Sequence, residues 1–346
     1  MDRTLEIIGV QMDMGASRRG VSMGPQAIRL GGLQEGLERL GYTVEDRGDI
    51  LPPPPGASFP NLRNRDQVVE GSRRLFSAVG ESLAAGHFPI VLGGDHSIAA
   101  GSVSAVARHF APRPLGLIWI DAHGDWNSDE TTLTGNMHGM SFSAVCGYGP
   151  RCMVDFGGEP VFVPVEKCVQ IGGRDIDPRE RRRMKEAGVT VFSIHDIDRM
   201  GMDAVMRRAL DIAGSGTAGI HLSFDVDAIT PESAPGTGTV VHSGLTVREA
   251  FLALELLAES ETLVSMDMVE VNPILDVRNK TGVLASELIQ SALGKSVYYR
   301  RFLPETEKSA RSGACFCFRM DFTGFSAEFR RCGRRCGSRF PERWPH

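Results

Sequence analysis

The sequence has 346 residues, of which 42% are hydrophobic and 23% are charged. This is the composition of a globular protein, and it excludes disorder over most of the chain. Lys and Arg number 38 against 43 Asp and Glu, so a net charge of −5 excludes a general basic field for nucleic acid or anionic lipid. The first residues do not have the pattern of a signal peptide, and no run of 18 apolar residues occurs. We expect a cytoplasmic protein that binds small molecules or proteins, with no nucleic-acid or membrane partner.

Charge and cysteine are unevenly distributed along the chain. Residues 301–346 contain ten Lys or Arg against five Asp or Glu, and they hold four of the seven cysteines. We therefore predict a folded domain over residues 1–300, followed by a basic, Cys- and Arg-rich extension over residues 301–346 without ordered structure.

From residue 5 to residue 300, short apolar segments alternate with longer amphipathic ones. The apolar segments predict strands at residues 5–11, 88–92, 115–120, 168–171, 189–193, 220–224 and 263–269. The amphipathic segments predict helices at residues 66–85, 97–110, 178–187, 201–212 and 246–258. Strands that are apolar on both faces and separated by helices indicate a doubly wound parallel sheet with helices on both faces, a three-layer αβα fold. Residues 51–64, with four consecutive prolines, are predicted to form a surface loop.

Polar segments follow five of the predicted strands. They are Gly93-Gly94-Asp95-His96-Ser97, Asp121-Ala122-His123-Gly124-Asp125, Gly172-Gly173-Arg174-Asp175-Ile176-Asp177, Asp225-Val226-Asp227 and Glu270-Val271-Asn272-Pro273. Ligands of open parallel sheets bind at the carboxyl ends of the strands, so these side chains are expected to converge on one site.

The residue types at these strand ends predict a metal site. Asp-x-His-x-Asp and Asp-x-Asp present alternate side chains on one side of an extended segment, and His96 completes a set of four carboxylates and two imidazoles. Either motif alone is more often a turn or a helix cap, but their joint occurrence favours metal binding. Four adjacent carboxylates repel one another, and two divalent cations would neutralise them. Carboxylate and imidazole ligands without thiolate suit Mn²⁺, and two separate histidines fit two metals better than the single zinc of a deacetylase.

Together with Gly135-Asn136-Met137-His138-Gly139, Arg18-Arg19-Gly20-Val21 and Gly24-Pro25-Gln26-Ala27-Ile28-Arg29, these segments resemble the ureohydrolase family, and the arginases in particular. The resemblance extends from about residue 5 to about residue 300 and implies that residues 1–300 form a catalytic domain. It implies two Mn²⁺ per subunit and hydrolysis of L-arginine to L-ornithine and urea, through attack of a metal-bridging hydroxide on the guanidinium carbon. It also implies a role in arginine metabolism and the urea cycle, and a homo-oligomer, either a trimer or a hexamer.

The resemblance also implies roles for individual residues. One Mn²⁺ would be held by His96, Asp121, Asp125 and Asp225, and the other by His123, Asp121, Asp225 and Asp227. Asp121 and Asp225 would then bridge the two ions. Asp125 would also relay a proton to the leaving nitrogen, His138 would shuttle protons, and Glu270 would anchor the guanidinium. The substrate α-carboxylate would lie near Asn127, Thr134 and His138, the α-amino group near Asp177, and the pocket edge near Glu180 and Thr239.

Charge alone does not distinguish arginine from agmatine or guanidinobutyrate, since all three carry a guanidinium group. The segment Thr134-Gly135-Asn136-Met137-His138-Gly139 resembles the amino-acid-recognising loop of arginases and favours arginine. An agmatinase or guanidinobutyrase, and a catalytically weak arginine-binding member of the fold, remain the alternatives. The sequence departs from the family pattern, which usually has Ser in place of Thr134, Pro in place of Ser141 and Asp in place of Thr230, and which is richer in glycine around His242. Thr134 keeps the hydroxyl, whereas the departures at Ser141, Thr230 and His242 bear on efficiency more than on reaction type.

We expect deletion of residues 301–346 to leave manganese content and arginine hydrolysis largely intact, because every residue given a role above precedes Val271. Elemental analysis and urea release, compared between the truncated and full chains, test this expectation. A truncated chain that folds but loses its manganese would mean that the extension contributes to the site.

Overall fold

An eight-stranded parallel sheet forms the centre of the protein, in the order β2-β1-β3-β8-β7-β4-β5-β6. The computed structural model describes residues 3–54, 56 and 58–296, so the predicted extension over residues 301–346 lies outside the described residues. The strands are β1 (Thr4–Val10), β2 (Thr43–Ile50), β3 (Phe88–Leu92), β4 (Gly116–Ile120), β5 (Cys168–Ile171), β6 (Thr190–Phe192), β7 (Ile220–Asp225) and β8 (Leu263–Val269). The predicted parallel sheet is confirmed, and each of the seven predicted strands is found within one residue of its expected bounds.

Ten α-helices occur in the described part of the chain. They are α1 (Gly24–Leu30), α2 (Leu33–Arg39), α3 (Arg65–Ala84), α4 (Ala99–Phe110), α5 (Ser141–Val145), α6 (Pro178–Ala187), α7 (Ile194–Met200), α8 (Met202–Gly214), α9 (Val247–Ser260) and α10 (Lys280–Ala292). The five predicted helices correspond to α3, α4, α6, α8 and α9. The prediction did not include α1, α2, α5, α7 and α10.

Side chains that alternate along the strands build an apolar core on each face of the sheet. In β1, Leu5 and Ile7 pack on one face with α1, α2, α8, α9 and α10, whereas Ile8 and Val10 pack on the other with α3, α4 and α5. Both faces of a central parallel strand are therefore covered by helices, which is the three-layer arrangement that the apolar strand sequences predict.

The strand that the sequence prediction missed, β2, lies at one edge of the sheet. Its sequence is largely polar and most of its residues are exposed or half-buried, so it lacks the apolar signal of a central strand. Arg29 of α1 holds it in place, since its guanidinium pairs with Asp46 at 2.7 Å and with Asp49 at 2.5 Å.

The strand order explains why the polar segments converge. The five strands that precede them, β3, β8, β7, β4 and β5, are consecutive neighbours in the sheet, so their carboxyl ends form one continuous edge. The chain passes very close to itself there: a Cβ atom on Gly94 would lie 1.7 Å from the carbonyl oxygen of Met12, which only glycine avoids. Among the described residues, no helix is both long enough and apolar enough to span a membrane.

Candidate metal centre

His96 lies at the centre of the candidate site, directly after β3, with 1% of its surface exposed. Its ring stacks on Trp119 of β4 with 4.1 Å between ring centroids, and its Nε2 lies 2.9 Å from the hydroxyl oxygen of Ser223 on β7. The other ring nitrogen, Nδ1, faces three carboxylates. It lies 3.1 Å from Asp121 Oδ2, 3.2 Å from Asp125 Oδ2 and 3.3 Å from Asp225 Oδ2.

Asp121 connects this set of side chains to a second one. Its Oδ1 lies 3.5 Å from Nδ1 of His123, and that nitrogen lies 3.0 Å from Asp227 Oδ2. Two groups of ligand atoms, each within 4.8 Å of one another, therefore share Asp121: His96 with Asp121 and Asp225, and Asp121 with His123 and Asp227. Asp225 belongs to the first group alone, so its role as a second bridge stays a prediction.

Backbone amides fix the orientation of these carboxylates. Asp225 Oδ1 accepts a hydrogen bond from the N–H of Asp227 at 2.8 Å, and Asp227 Oδ1 accepts one from the N–H of Ala122 at 3.2 Å. In both residues the second oxygen faces a histidine of the cluster. Each of these aspartates thus commits one oxygen to the backbone and directs the other into the site.

The side chains present fit a metal ion. Nδ1 of His96 and Oδ2 of Asp125 are buried and have no hydrogen-bond partner among the described residues. A buried polar atom without a partner is costly, and an imidazole lone pair beside carboxylate oxygens is a donor set that divalent cations such as Mn²⁺ accept.

The protonation equilibria of the cluster indicate a shortage of positive charge. Burial, together with the charges of neighbouring aspartates, raises the pKa values of Asp125 and Asp225 well above the ordinary value. Burial would lower the pKa of His96, but Asp121 and Asp125 outweigh it and raise that pKa to about 9. Burial would raise the pKa of Asp121, but the adjacent imidazoles of His123 and His96 outweigh it and hold that pKa below the usual range. Bound cations would supply the missing charge.

Asp125 and Glu270 both have left-handed backbone conformations, with φ of 46° and 63°. Such conformations are uncommon for residues other than glycine, and they cluster at functional sites. Glu270 Oε1 accepts a hydrogen bond from the N–H of His96 at 2.9 Å and lies 2.9 Å from Nδ1 of His138. Glu270 thereby joins His138 to the backbone of His96.

A cavity of about 160 Å³ opens beside the cluster. Its lining residues are His123, Asp125, Asn127, His138, Gly139, Asp175, Asp177, Glu180, Asp225 and Thr239. The cavity therefore contains four of the five predicted substrate-binding residues. The fifth, Thr134, is not among the lining residues; it is exposed, and its hydroxyl accepts a hydrogen bond from the N–H of Asn136.

Two of the lining residues also begin helix α6. Asp177 is the residue before Pro178, and the Glu180 carboxylate accepts hydrogen bonds from the N–H groups of Asp177 at 3.3 Å and Trp126 at 2.6 Å. Burial raises the pKa of Glu180 to about 7. Asp177 can cap α6 and line the cavity at the same time. Its role towards a substrate therefore stays a prediction.

The sequence prediction missed a set of buried polar side chains behind His96. Ser223 donates to Asp267 Oδ2 on β8 at 3.5 Å, and the same oxygen lies 3.1 Å from Nε2 of His221 on β7. All three residues are fully buried. The sequence signal that could have identified them is a polar residue inside an otherwise apolar strand. Asp175 and Gly139, which line the cavity, were also not predicted, although both belong to loop segments that the sequence analysis had singled out.

The residues at which the sequence departs from the family pattern have distinct environments. Ser141 is buried, and its hydroxyl donates to the carbonyl of His138 at 2.9 Å, a bond that a proline at this position could not make. The Thr230 hydroxyl bonds the carboxylate of Glu232, and His242 is exposed.

The fold and the two overlapping aspartate–histidine groups define an α/β protein with a carboxylate–imidazole metal centre. The chain belongs to the Arginase family, whose sequence profile matches residues 3–294. It is 45% identical over 296 residues to an arginase from Brevibacillus brevis, which covers 85% of this chain and 99% of the relative. A solved structure of the Bacillus caldovelox arginase has 44% identity and a TM-score of 0.83, and the match covers 86% of this chain and all of that chain. The Entamoeba histolytica arginase, solved in complex with L-ornithine, has 29% identity and a TM-score of 0.78, with coverage of 85% of this chain and 99% of that chain.

We expect Asp121→Ala to weaken metal binding more than Asp227→Ala or His96→Ala does, because Asp121 belongs to both groups of ligand atoms and the other two residues belong to one each. Isothermal titration of metal-free protein with Mn²⁺, with elemental analysis of the dialysed product, measures this. Asp203→Ala, an exposed residue paired with Arg207 on α8, is the control and should bind as the unaltered chain does. A milder loss for Asp121→Ala than for His96→Ala would contradict the shared carboxylate.

Proposed function

We propose that this chain hydrolyses L-arginine to L-ornithine and urea with two Mn²⁺ per subunit. The observation that carries the proposal is the sharing of Asp121 between two groups of ligand atoms in a chain of the Arginase family. His96, Asp121, Asp125 and Asp225 would hold one ion. His123, Asp121, Asp225 and Asp227 would hold the other. A pair of bound divalent cations would lower the pKa of a water between them and so supply the nucleophile at neutral pH.

Two observations support a proton-relaying role for Asp125. Its Oδ2 lies in the buried cluster without a hydrogen-bond partner in the described structure, and the residue lines the cavity. This oxygen can accept the proton that the nucleophile loses and return it to the leaving nitrogen, which makes ornithine the leaving amine and urea the second product.

His138 is suited to exchange protons between the cavity and solvent. It lines the cavity, and its Nδ1 is engaged with Glu270 at 2.9 Å, which orients the ring and leaves the other nitrogen to carry a proton. Burial would lower the pKa of His138, but the hydrogen bond with Glu270 outweighs it and raises that pKa.

The charge of the cavity favours a cationic substrate. Five of its ten lining residues are Asp or Glu, and none of them is Lys or Arg. A guanidinium is attracted to such a site and an anionic ligand is repelled. Glu270, which is buried and is not among the lining residues, would anchor the guanidinium next to His138. Asn127 and Asp177 in the lining, together with the exposed Thr134 outside it, would recognise the amino-acid end. Glu180 and Thr239 would form the pocket edge. From the family resemblance we further infer a cytoplasmic homo-oligomer, a trimer or a hexamer, that acts in arginine metabolism and the urea cycle.

Urea release from L-arginine, agmatine and guanidinobutyrate tests the proposal directly. We expect the Mn²⁺-loaded protein to prefer arginine, to lose activity on chelation and to recover it when Mn²⁺ returns. A preference for agmatine would reject arginine as the substrate, and full activity with one ion per chain would reject the two-metal site.

Two variants distinguish recognition of the amino-acid end of the substrate from recognition of its guanidinium. Asp177→Ala should lower kcat/KM for arginine, by an amount that corresponds to about 1–3 kcal/mol of activation free energy, because a charge-assisted hydrogen bond to the α-amino group is lost. The effect on guanidinobutyrate, which has no α-amino group, should be smaller. Glu270→Gln is the matched variant at the other end and should impair all guanidino substrates alike.

The melting temperature is measured for the same variants. Since Asp177 also precedes α6, a purely helix-capping role would lower the melting temperature of Asp177→Ala and leave the ratio of the substrates unchanged. That result would reject the recognition role of Asp177.

A further inference from the structure

Arg174 extends from the loop after β5 towards two other loops of the metal centre. Its Nε donates to the carbonyl of His242 at 3.0 Å, and its Nη1 donates to the carbonyl of Ala228 at 3.0 Å. Nη2 donates to the carbonyls of Asp227 at 2.6 Å and Val241 at 2.9 Å. The guanidinium thus spans the turn after β7 and the loop of residues 239–244, which we name the rim loop.

The partners of this guanidinium are backbone carbonyls. Arg174 is half-buried, but among the described residues no carboxylate forms a hydrogen bond or ion pair with it. A planar guanidinium can donate in several fixed directions at once, whereas a lysine ammonium is a compact point charge that cannot reach four carbonyls on two segments. The guanidinium fits this geometry, and its hydrogen bonds fix the positions of backbone carbonyls next to the aspartates.

The same residue reaches a third segment through its own backbone. The N–H of Arg174 donates to the carbonyl of Ala122 at 2.8 Å, between Asp121 and His123. On the other side, Thr239 of the rim loop donates through its hydroxyl to Asp227 Oδ2 at 2.9 Å. Arg174 consequently connects the segments that carry Asp121, His123 and Asp227, but it does not line the cavity beside the cluster.

The space around the guanidinium is closely fitted. A Cβ atom on Gly244 would lie 2.7 Å from Nη2 of Arg174 and 2.6 Å from the carbonyl oxygen of Ala228. A glycine at the end of the rim loop therefore leaves room for the arginine, and any larger residue would displace one or the other.

We propose that Arg174 is the positioning residue for the second metal position, the one formed by Asp121, His123 and Asp227. It holds the β4, β7 and rim-loop segments at a fixed separation, so that the three ligand atoms stay within reach of one ion. The group formed by His96, Asp121 and Asp225 has other supports, among them Trp119 and Ser223. This inference rests on the proposed two-ion function.

Arg174→Lys tests the proposal, because this variant keeps the positive charge and removes the planar guanidinium that donates to the four carbonyls. Metal-free protein is titrated with Mn²⁺ by calorimetry, and bound ions are counted by elemental analysis after dialysis. We expect one ion to bind with the affinity of the unaltered chain and the other to bind about 10- to 100-fold more weakly, as is typical when a residue that orients a metal ligand is lost. Two ions of unchanged affinity would overturn the proposal.

Arg29→Lys is the matched control. Arg29 is also half-buried and makes multiple hydrogen bonds, to Asp46, Asp49 and the carbonyl of Gly48, but it lies at the opposite end of the sheet order, beside β2. Both variants should melt at a lower temperature, and only Arg174→Lys should lose affinity for one ion. Equal loss of metal affinity in the two variants would reduce Arg174 to a general stabilising role and would overturn the proposal.

Two further measurements keep the result decisive. If Arg174→Lys does not fold, Arg174→Gln, which keeps two planar N–H donors on a shorter side chain, is titrated in its place, and the same selective weakening of one ion is expected; unchanged binding of both ions would overturn the proposal. The unaltered chain is titrated first: fewer than two ions there would reject the two-ion function itself, whereas two ions there and two in Arg174→Lys would reject only the role of Arg174.

Discussion

The structure depends on holding four buried aspartates within a few ångströms of one another. Asp121, Asp125, Asp225 and Asp227 are each at most 6% exposed, so water does little to screen their repulsion. Two histidines reduce the excess of negative charge, and divalent cations would offset the remainder. The remaining elements serve this constraint: five adjacent strands end at the same edge, and backbone amides fix one oxygen of Asp225 and one of Asp227.

The parts of the fold and site that can be predicted from sequence are those with a local signal. Central strands such as β3 and β4 are short apolar segments, and spacing two within Asp-x-His-x-Asp identifies ligands because alternate side chains share a side. The polar edge strand β2 has no such pattern, since pairing with β1 and ion pairs to Arg29 stabilise it instead. Arg174 could be seen as a residue of a strand-end loop, but its partners are carbonyls more than 50 residues away in sequence, which no local pattern reveals.

Positioning in this site relies on the backbone as much as on side chains. Glu270 bonds the N–H of His96, Arg174 bonds the carbonyl of Asp227, and Ser141 bonds the carbonyl of His138. Bonds of this kind constrain where a side chain begins without competing for its functional atoms. They also tolerate sequence change at neighbouring side chains, which explains how the rim loop can carry an exposed His242 whose carbonyl is nevertheless fixed.

The residues proposed to bind metal are more deeply buried than those proposed to recognise the substrate. The candidate metal ligands are nearly all buried and mutually constrained, so a change in one disturbs the charge balance of the others. Asn127 and Asp177 are half-buried and Thr134 is exposed. Under the proposed function, substitution of these three side chains, which are not in the two groups of ligand atoms, would alter recognition of the amino-acid end of a substrate at little cost to the metal centre. A family built on this edge of the sheet can therefore change the substrate it accepts while the charge constraint at its centre keeps the same aspartates and histidines.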